Sequence, residues 1–110
     1  MELLKAETNT QTLQVKVLGD FDARGSRSAQ AQIDDIIHND GHQEIEIDLE
    51  QVRFMDSSGI GAIVYLYKRL VERERKMRLE NVTGQPLQII KLLRIGQAIP
   101  VNTHASNEYL

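Results

Sequence analysis

The residues best suited to chemistry lie in one short stretch, Phe54-Met55-Asp56-Ser57-Ser58-Gly59-Ile60-Gly61. It places a carboxylate, two hydroxyls and two glycines between a pattern typical of a strand and a pattern typical of a helix. At the start of a helix, backbone N–H groups lack intrahelical partners and the helix dipole favours negative charge. The stretch therefore allows three uses: a plain helix cap, a nucleophile, or an acceptor of a phosphoryl group.

Capping alone accounts for only part of this stretch. Asp and Ser oxygens accept hydrogen bonds from the first free N–H groups, but one helix needs only one cap. The second hydroxyl remains unexplained, and so do the glycines at Gly59 and Gly61, because glycine inside a helix is costly. We expect glycine at such positions where another backbone approaches closely.

A serine nucleophile is the first functional alternative, and the spacing argues against it. The nucleophile elbow requires glycine two residues before and two residues after the serine, and neither Ser57 nor Ser58 fits. A histidine base would have to be His38, His42 or His104. We interpret the first two as solvated loop residues beside a glycine turn and the third as part of the C-terminal tail. We therefore expect no catalytic triad and no enzyme.

Patterns for nucleotide and metal binding are incomplete. A dinucleotide-binding loop would need a third glycine where the chain has Val64, and no Gly-Lys-Ser/Thr follows. The acidic and histidine residues do not have the spacing of a zinc helix motif or a calcium loop. The sequence thus predicts no cofactor and no metal site. We interpret Glu72 and Lys76 as an i,i+4 pair on an exposed helix face.

The composition is that of an ordinary globular domain. A chain of 110 residues suits one domain with a hydrophobic core. A formal net charge of −3 and 5% aromatic residues argue against a broad nucleic-acid-binding surface. The absence of cysteine excludes disulfides and fits a reducing cytoplasm. No signal peptide is evident and the apolar-rich run at residues 60–67 is too short to span a bilayer, so we expect a soluble cytoplasmic protein without membrane insertion.

Hydrophobic periodicity predicts the elements that position the motif. Strands are expected at residues 13–17, 44–49 and 77–80, with weaker ones at 4–8 and 98–101. Helices are expected at residues 26–39, 57–75 and 85–95. The second helix carries an apolar stripe of Ile60, Ile63, Val64, Tyr67, Leu70 and Val71. The third should end just before Gly96, and residues 102–110 should form a loose or weakly docked tail.

The order of these elements predicts an α/β fold, because strands and helices alternate along the chain. The strands themselves alternate between apolar and polar residues, whereas strands covered on both faces would be apolar throughout. We therefore expect the helices to pack on one face of the sheet and the other face to be largely solvated. No internal repeat or linker appears, so residues 1–110 are expected to form a single domain.

Three segments resemble the STAS domain family, in its anti-sigma factor antagonist type. The turn Gly19-Asp20-Phe21-Asp22 is similar to the turn that follows the second strand of the family. Residues 48–61 are close to the family signature, and Leu79-Glu80-Asn81-Val82 resembles its fourth strand. The resemblance covers almost the whole chain. It implies a STAS-like α/β domain with a mixed sheet of four to five strands and helices packed on one face.

The resemblance also implies a bacterial signalling role in transcription regulation by partner switching. The unphosphorylated domain would bind an anti-sigma factor that is also a Ser protein kinase. Phosphorylation would break or redirect that binding, and a Ser phosphatase would reset it. The phosphorylation site carried over is Ser57. The partner-binding residues carried over are Asp20, Asp22, Asp56, Ser58, Gly59 and Gly61, on a monomer or weak dimer.

Simple electrostatics is compatible with such a switch. A phosphate on Ser57 would add a charge of about −1.5 to −2. The free N–H groups and the dipole of a helix start would tolerate that charge. The neighbouring acid Asp56 would join it in repelling a partner.

The sequence leaves three alternatives open. The chain could be the STAS subunit of a membrane-associated lipid or solute ABC transporter that is not phosphorylated. It could be a partner-switch regulator of polysaccharide or biofilm output, or a small hydrolase using Ser57 or Ser58. The basic run at residues 68–78 lies outside the family signature, and either a partner surface or a solvated face would explain it.

Overall fold

The computed structural model describes residues 1–103 of the chain. The strands in this part are β1 Glu2–Asn9, β2 Thr12–Leu18, β3 Glu44–Asp48, β4 Lys76–Val82 and β5 Val101–Thr103. The helices are α1 Ala23–Asn39, α2 Ser57–Glu72 and α3 Gly84–Leu92, followed by a short 3-10 helix at Ile95–Gln97. No helix in the described range is both long and apolar enough to cross a membrane.

The strands form one mixed sheet in the order β1-β2-β3-β4-β5. β1 runs antiparallel to β2, and every other neighbouring pair is parallel. Each parallel connection passes through a helix, with α1 after β2, α2 after β3 and α3 after β4. Because the carboxyl ends of parallel strands meet at one edge, the starts of α1 and α2 lie side by side.

The two faces of the sheet differ as the alternation predicted. The inward residues are nearly or fully buried and share one core with the helices: Val15, Val17, Ile45, Ile47, Met77 and Leu79. On the other face, Gln14, Glu46 and Arg78 lie side by side in the register of three strands. Glu46 accepts from Gln14 at 2.8 Å and from Arg78 at 2.6 Å. The predicted α/β fold with helices on one face is therefore confirmed.

The apolar stripe predicted for α2 needs one correction. Leu66, which the prediction left out, is buried, whereas Val71, which it included, is 50% exposed. The buried positions follow the spacing of Ile63, Leu66 and Leu70 along the helix. Val71 follows Leu70 directly and so lies about 100° around the helix from it.

The end of α2 also differs from the prediction. The helix stops at Glu72, and Glu74 adopts a positive φ of 59° that turns the chain toward β4. Lys76 therefore begins a strand, and the predicted i,i+4 pair of Glu72 and Lys76 is wrong. Glu72 instead accepts a hydrogen bond of 2.7 Å from Arg69, three residues earlier.

The C-terminal elements lie a few residues from their predicted places. α3 ends at Leu92, and the chain reverses at Arg94 (φ 56°) instead of at Gly96, which belongs to the 3-10 helix. The N–H groups of residues 98 and 99 still donate to Ile95, so β5 starts only at residue 101.

The prediction of a loose or weakly docked tail from residue 102 onward is wrong for its first two residues, which belong to β5. Asn102 is buried and donates to Glu80 at 2.7 Å within the β4–β5 pair. The rest of that prediction, from residue 104 on, lies outside the described residues.

The basic run at residues 68–78 contributes to folding at two places. Arg75 is buried and donates to the carbonyls of Ile36 at 3.1 Å and Ile37 at 3.3 Å. These two bonds satisfy free carbonyls at the end of α1. Arg75 also donates to the Asp40 carboxylate at 2.9 Å. Arg78 lies on the open face of the sheet among three glutamates of β3 and β4. The two most buried cations of the run, Arg75 and Arg78, therefore bind groups within the domain.

Candidate functional site

The start of α2 presents the two serines of the motif to solvent. Asp56 is the N-cap, and its Oδ1 accepts from the N–H of Ser58 at 2.9 Å and of Gly59 at 3.1 Å. Ser57 and Ser58 occupy the first two helical positions and both are exposed. The capping interpretation of Asp56 is therefore confirmed.

The same cap corrects one expectation about charge. The N–H groups of Ser58 and Gly59 are already bound to the Asp56 carboxylate, so they are not free to hold a phosphate on Ser57. A phosphate there would be accommodated by its exposure to water and by the helix dipole.

The two glycines of the motif have different structural roles. A Cβ added at Gly59 would lie 2.0 Å from the carbonyl oxygen of Phe21, so only glycine fits there. Gly61 is exposed, and a Cβ added to it would meet nothing within 4 Å. The expected close approach of another backbone is confirmed for Gly59, and among residues 1–103 no backbone approaches Gly61 in this way.

The backbone that approaches Gly59 belongs to the loop after β2. The N–H of Phe21 donates to the carbonyl of Phe54 at 2.9 Å, and the N–H of Asp56 donates to the carbonyl of Phe21 at 3.3 Å. Phe21 and Met55 thus form an isolated parallel bridge, and both side chains are buried. This bridge joins the Asp20–Asp22 turn to the start of α2.

α1 begins in the same way as α2. Asp22 is its N-cap and accepts from the N–H of Gly25 at 2.8 Å. A Cβ at Gly25 would lie 2.4 Å from the carbonyl oxygen of Asp20. Asp20 is exposed beside this cap. The structure therefore brings the acids of the turn and Asp56 to one end of the domain, while giving Asp22 and Asp56 a structural task as caps.

Gln85 is a residue of this site that sequence reasoning missed. It lies in the first turn of α3, and its Oε1 accepts from the N–H of Met55 at 2.8 Å. Its Nε2 donates to the carbonyl of Met55, also at 2.8 Å. The two residues are 30 positions apart, so no local pattern could reveal the contact.

A shallow groove between α1 and α2 opens next to the serines. Its lining includes Ser26, Arg27 and Gln30 from α1 and Ser58, Gly61, Ala62 and Tyr65 from α2. The Ser26 hydroxyl is buried and has no hydrogen-bond partner within residues 1–103. The groove thus combines a buried hydroxyl that lacks a partner with a glycine that no contact in the described part of the chain requires.

The two histidines within residues 1–103 lie far from Ser57. His38 is exposed in the last turn of α1, with Nδ1 2.9 Å from an Arg73 nitrogen, so it is a helix residue and not a loop residue. α1 is 17 residues long and therefore about 25 Å in length, which separates its two ends. His104 lies outside the described residues. Within residues 1–103, no group of histidine and acidic side chains could hold a metal ion.

His42 lies in a loop, as predicted, but its side chain is not solvated as the prediction had it. Its side chain is 15% exposed and lies between two carboxylates, with Nδ1 2.8 Å from Asp40 and Nε2 2.9 Å from Glu7. Both contacts are hydrogen bonds only if both ring nitrogens carry a proton. The hydrogen bonds to Asp40 and then Glu7 accordingly raise the pKa of His42 above 6.5.

Comparison with protein families identifies one match. The family described as the STAS domain matches residues 4–107. The chain is 24% identical over 104 residues to the anti-sigma F factor antagonist of Paenibacillus polymyxa, covering 94% of this chain and 89% of that protein. It is 27% identical over 101 residues to the anti-sigma-B factor antagonist of Staphylococcus aureus, covering 90% and 93%.

Solved structures give the same fold. The anti-sigma factor antagonist SpoIIAA in its unphosphorylated form has a TM-score of 0.70 at 20% identity, over 96% of this chain and 90% of that chain. The phosphorylated form of SpoIIAA has a TM-score of 0.70 at 19% identity, over 94% and 93%. At this identity the likeness establishes the fold.

Proposed function

The chain belongs to the STAS domain family, and we propose that it acts in the bacterial cytoplasm as an anti-sigma factor antagonist controlled by phosphorylation of Ser57. In this proposal the unphosphorylated domain, a monomer or weak dimer, binds an anti-sigma factor that is also a Ser protein kinase. A Ser phosphatase restores the unphosphorylated form. The domain itself is a regulator and performs no catalysis.

The observation that carries the proposal is the exposed Ser57 hydroxyl at the first position of α2. A kinase must reach the acceptor without unfolding the domain, and this position allows it. A phosphate would place a charge of about −1.5 to −2 beside Asp56 and the acids of the neighbouring turn. The resulting concentration of negative charge would oppose a partner that binds this end.

Gly61 supports the proposal that this end is a binding surface. It lies on the exposed side of α2, where a Cβ would meet no atom of the described chain within 4 Å. Glycine in a helix interior costs roughly 0.5–1 kcal/mol relative to alanine. A partner that packs directly against the helix backbone would explain why residue 61 is glycine. We therefore include Gly61, Ser58 and Asp20 in the partner contact.

Three variants test the proposal: Ser57→Ala, Ser57→Asp and, as a matched control one residue away, Ser58→Ala. Each is mixed with an anti-sigma factor kinase from the source genome and ATP, and phosphate incorporation is measured by intact-protein mass spectrometry. When the reaction is run to completion, we expect one phosphate on wild type and on Ser58→Ala and none on Ser57→Ala. Loss of the Ser58 contact would slow the reaction but leave its acceptor in place. Phosphate on Ser57→Ala at full stoichiometry would falsify the assignment.

Binding without ATP provides the second readout. Ser57→Ala should retain the kinase, because the uncharged surface is intact. Ser57→Asp should weaken binding at least tenfold, which corresponds to about 1.4 kcal/mol. Equal affinities of wild type, Ser57→Ala and Ser57→Asp would contradict control of binding by charge at this position.

No observation in the structure favours the transporter, polysaccharide-output or hydrolase alternatives.

A further inference from the structure

The backbone just before Ser57 is held from two sides. On one side, the carbonyl of Phe54 and the N–H of Asp56 are bonded to Phe21. On the other side, the N–H and the carbonyl of Met55 are bonded to the side-chain amide of Gln85. Met55 is fully buried, so these two groups have no access to water as a substitute partner.

The Gln85 amide thereby takes the place of a neighbouring strand. In a parallel sheet, the N–H and carbonyl of one residue point to the same side and pair with peptide groups of the adjacent strand. β3 ends at Asp48, and Met55 belongs to no named strand. One planar amide supplies both the acceptor and the donor that a strand would have offered.

We propose that Gln85 is the positioning residue that fixes residues 54–56 and so presents Ser57 to the anti-sigma factor kinase that binds and modifies it. The proposal deepens the proposed function and rests on it. Met55 is followed directly by the cap Asp56 and then by Ser57, so a backbone rotation at Met55 would displace the cap and the acceptor together. Gln85 itself is fixed because α3 is anchored in the core by Ile90.

The chemistry of the contact requires an amide of this length. Methionine has a similar shape but offers no donor for the carbonyl and no effective acceptor for the N–H. A glutamate carboxylate could accept from the Met55 N–H but would face the Met55 carbonyl without a proton. We therefore expect Gln85→Met to release both backbone groups and Gln85→Glu to keep one bond.

The first experiment examines the loop without any kinase. Backbone amide resonances of wild type, Gln85→Met and Gln88→Met are compared by NMR. Gln88 is exposed on the same helix, so its variant controls for a methionine in α3. Gln85→Met should shift the amides of Met55, Ser57 and Ser58 and speed hydrogen exchange at Met55, while Gln88→Met should leave them unchanged. Equal spectra of this loop in the two variants would overturn the proposal.

The second experiment measures phosphorylation of the same proteins by the kinase that modifies wild type. We expect kcat/KM to fall about tenfold for Gln85→Met and less for Gln85→Glu, with Gln88→Met like wild type. Urea unfolding shows that each variant is folded under the assay conditions. A disturbed loop with unchanged kcat/KM would also overturn the proposal.

The two experiments distinguish a failure of the Gln85 proposal from a failure of the proposed function. If wild type takes up no phosphate at Ser57, the proposed function fails. The NMR comparison then still decides whether Gln85 holds the loop.

Discussion

Alanine at Gly59 and alanine at Gly61 should change stability in opposite directions, although the two glycines lie in the same turn of α2. At Gly59 the added Cβ would lie 2.0 Å from the carbonyl oxygen and 3.0 Å from the carbonyl carbon of Phe21. The Phe21 loop and α2 would have to separate by about 1 Å before the contact became tolerable. At Gly61 the added Cβ enters open space.

The magnitude follows from what the separation would disturb. The bridge between the two loops consists of hydrogen bonds of 2.9 Å and 3.3 Å to Phe21. Each contributes about 1 kcal/mol, and overpacking against backbone costs a further 1–3 kcal/mol or so. The greater helix preference of alanine offsets about 1 kcal/mol of this loss of stability. Gly59→Ala should therefore lose about 2–4 kcal/mol, and Gly61→Ala should gain roughly 0.5–1 kcal/mol.

Thermal and urea unfolding of the two variants measure this difference. For a domain of this size, 1 kcal/mol corresponds to a change in Tm of about 4 °C. We expect Tm to fall by about 8–16 °C for Gly59→Ala and to rise by about 2–4 °C for Gly61→Ala. A Gly59→Ala protein as stable as wild type would refute the close-packing explanation of this glycine. A less stable Gly61→Ala protein would refute the conclusion that the chain does not need Gly61.

Two further predictions concern the opposite end of the domain. Arg75→Met should destabilise the fold by about 3 kcal/mol, since it leaves the carbonyls at the end of α1 without their donor and removes the guanidinium partner of Asp40. Lys76→Met, at the exposed next position, is the control, and similar urea midpoints for the two would contradict this role. His42 has a pKa raised above 6.5 by its bonds to Asp40 and Glu7, so its stabilising contribution is fully present below that value and is lost as the pH rises through the folded pKa. The stability difference between wild type and His42→Gln should therefore shrink on going from acidic to alkaline pH, and a constant difference in urea unfolding would argue against an imidazolium bridge.

The regular elements were predictable because their signals are local. The alternation in β2 and β3 identified both strands within a residue or two at each end. The three isoleucines of α1, Ile33, Ile36 and Ile37, recur at helical spacing and are all buried. Such patterns depend only on which face of an element meets the core, so they can be read directly from the sequence.

The predictions from sequence failed for residues whose contacts lie far away along the chain. Arg75 looked like one more charge on a helix, but its guanidinium is held by carbonyls more than 30 residues away. His42 follows a glycine turn and looked solvated, whereas a carboxylate 35 residues away makes it part of a bridge. Gln85 carries no signal at all, since its partner is the backbone of Met55.

At the candidate site, the sequence predicted the position of the helix start and the neighbouring acidic turn. It could not predict that Asp56 would bind two N–H groups at once or that Gly61 would face open space. These features depend on the exact path of the chain around residue 56, which the bridge to Phe21 determines.

The Asp56 cap has a consequence for how long the phosphorylated and unphosphorylated states of the proposed switch would last. Since the cap already satisfies the N–H groups of Ser58 and Gly59, a phosphate on Ser57 would not need to reorganise the helix start. Conformational rearrangements in proteins can take from microseconds to seconds, and the cap removes the need for such a step at the helix start. The lifetime of each state would then be set by the abundance and turnover of the kinase and the phosphatase. The cell could store this signal for as long as the ester bond survives.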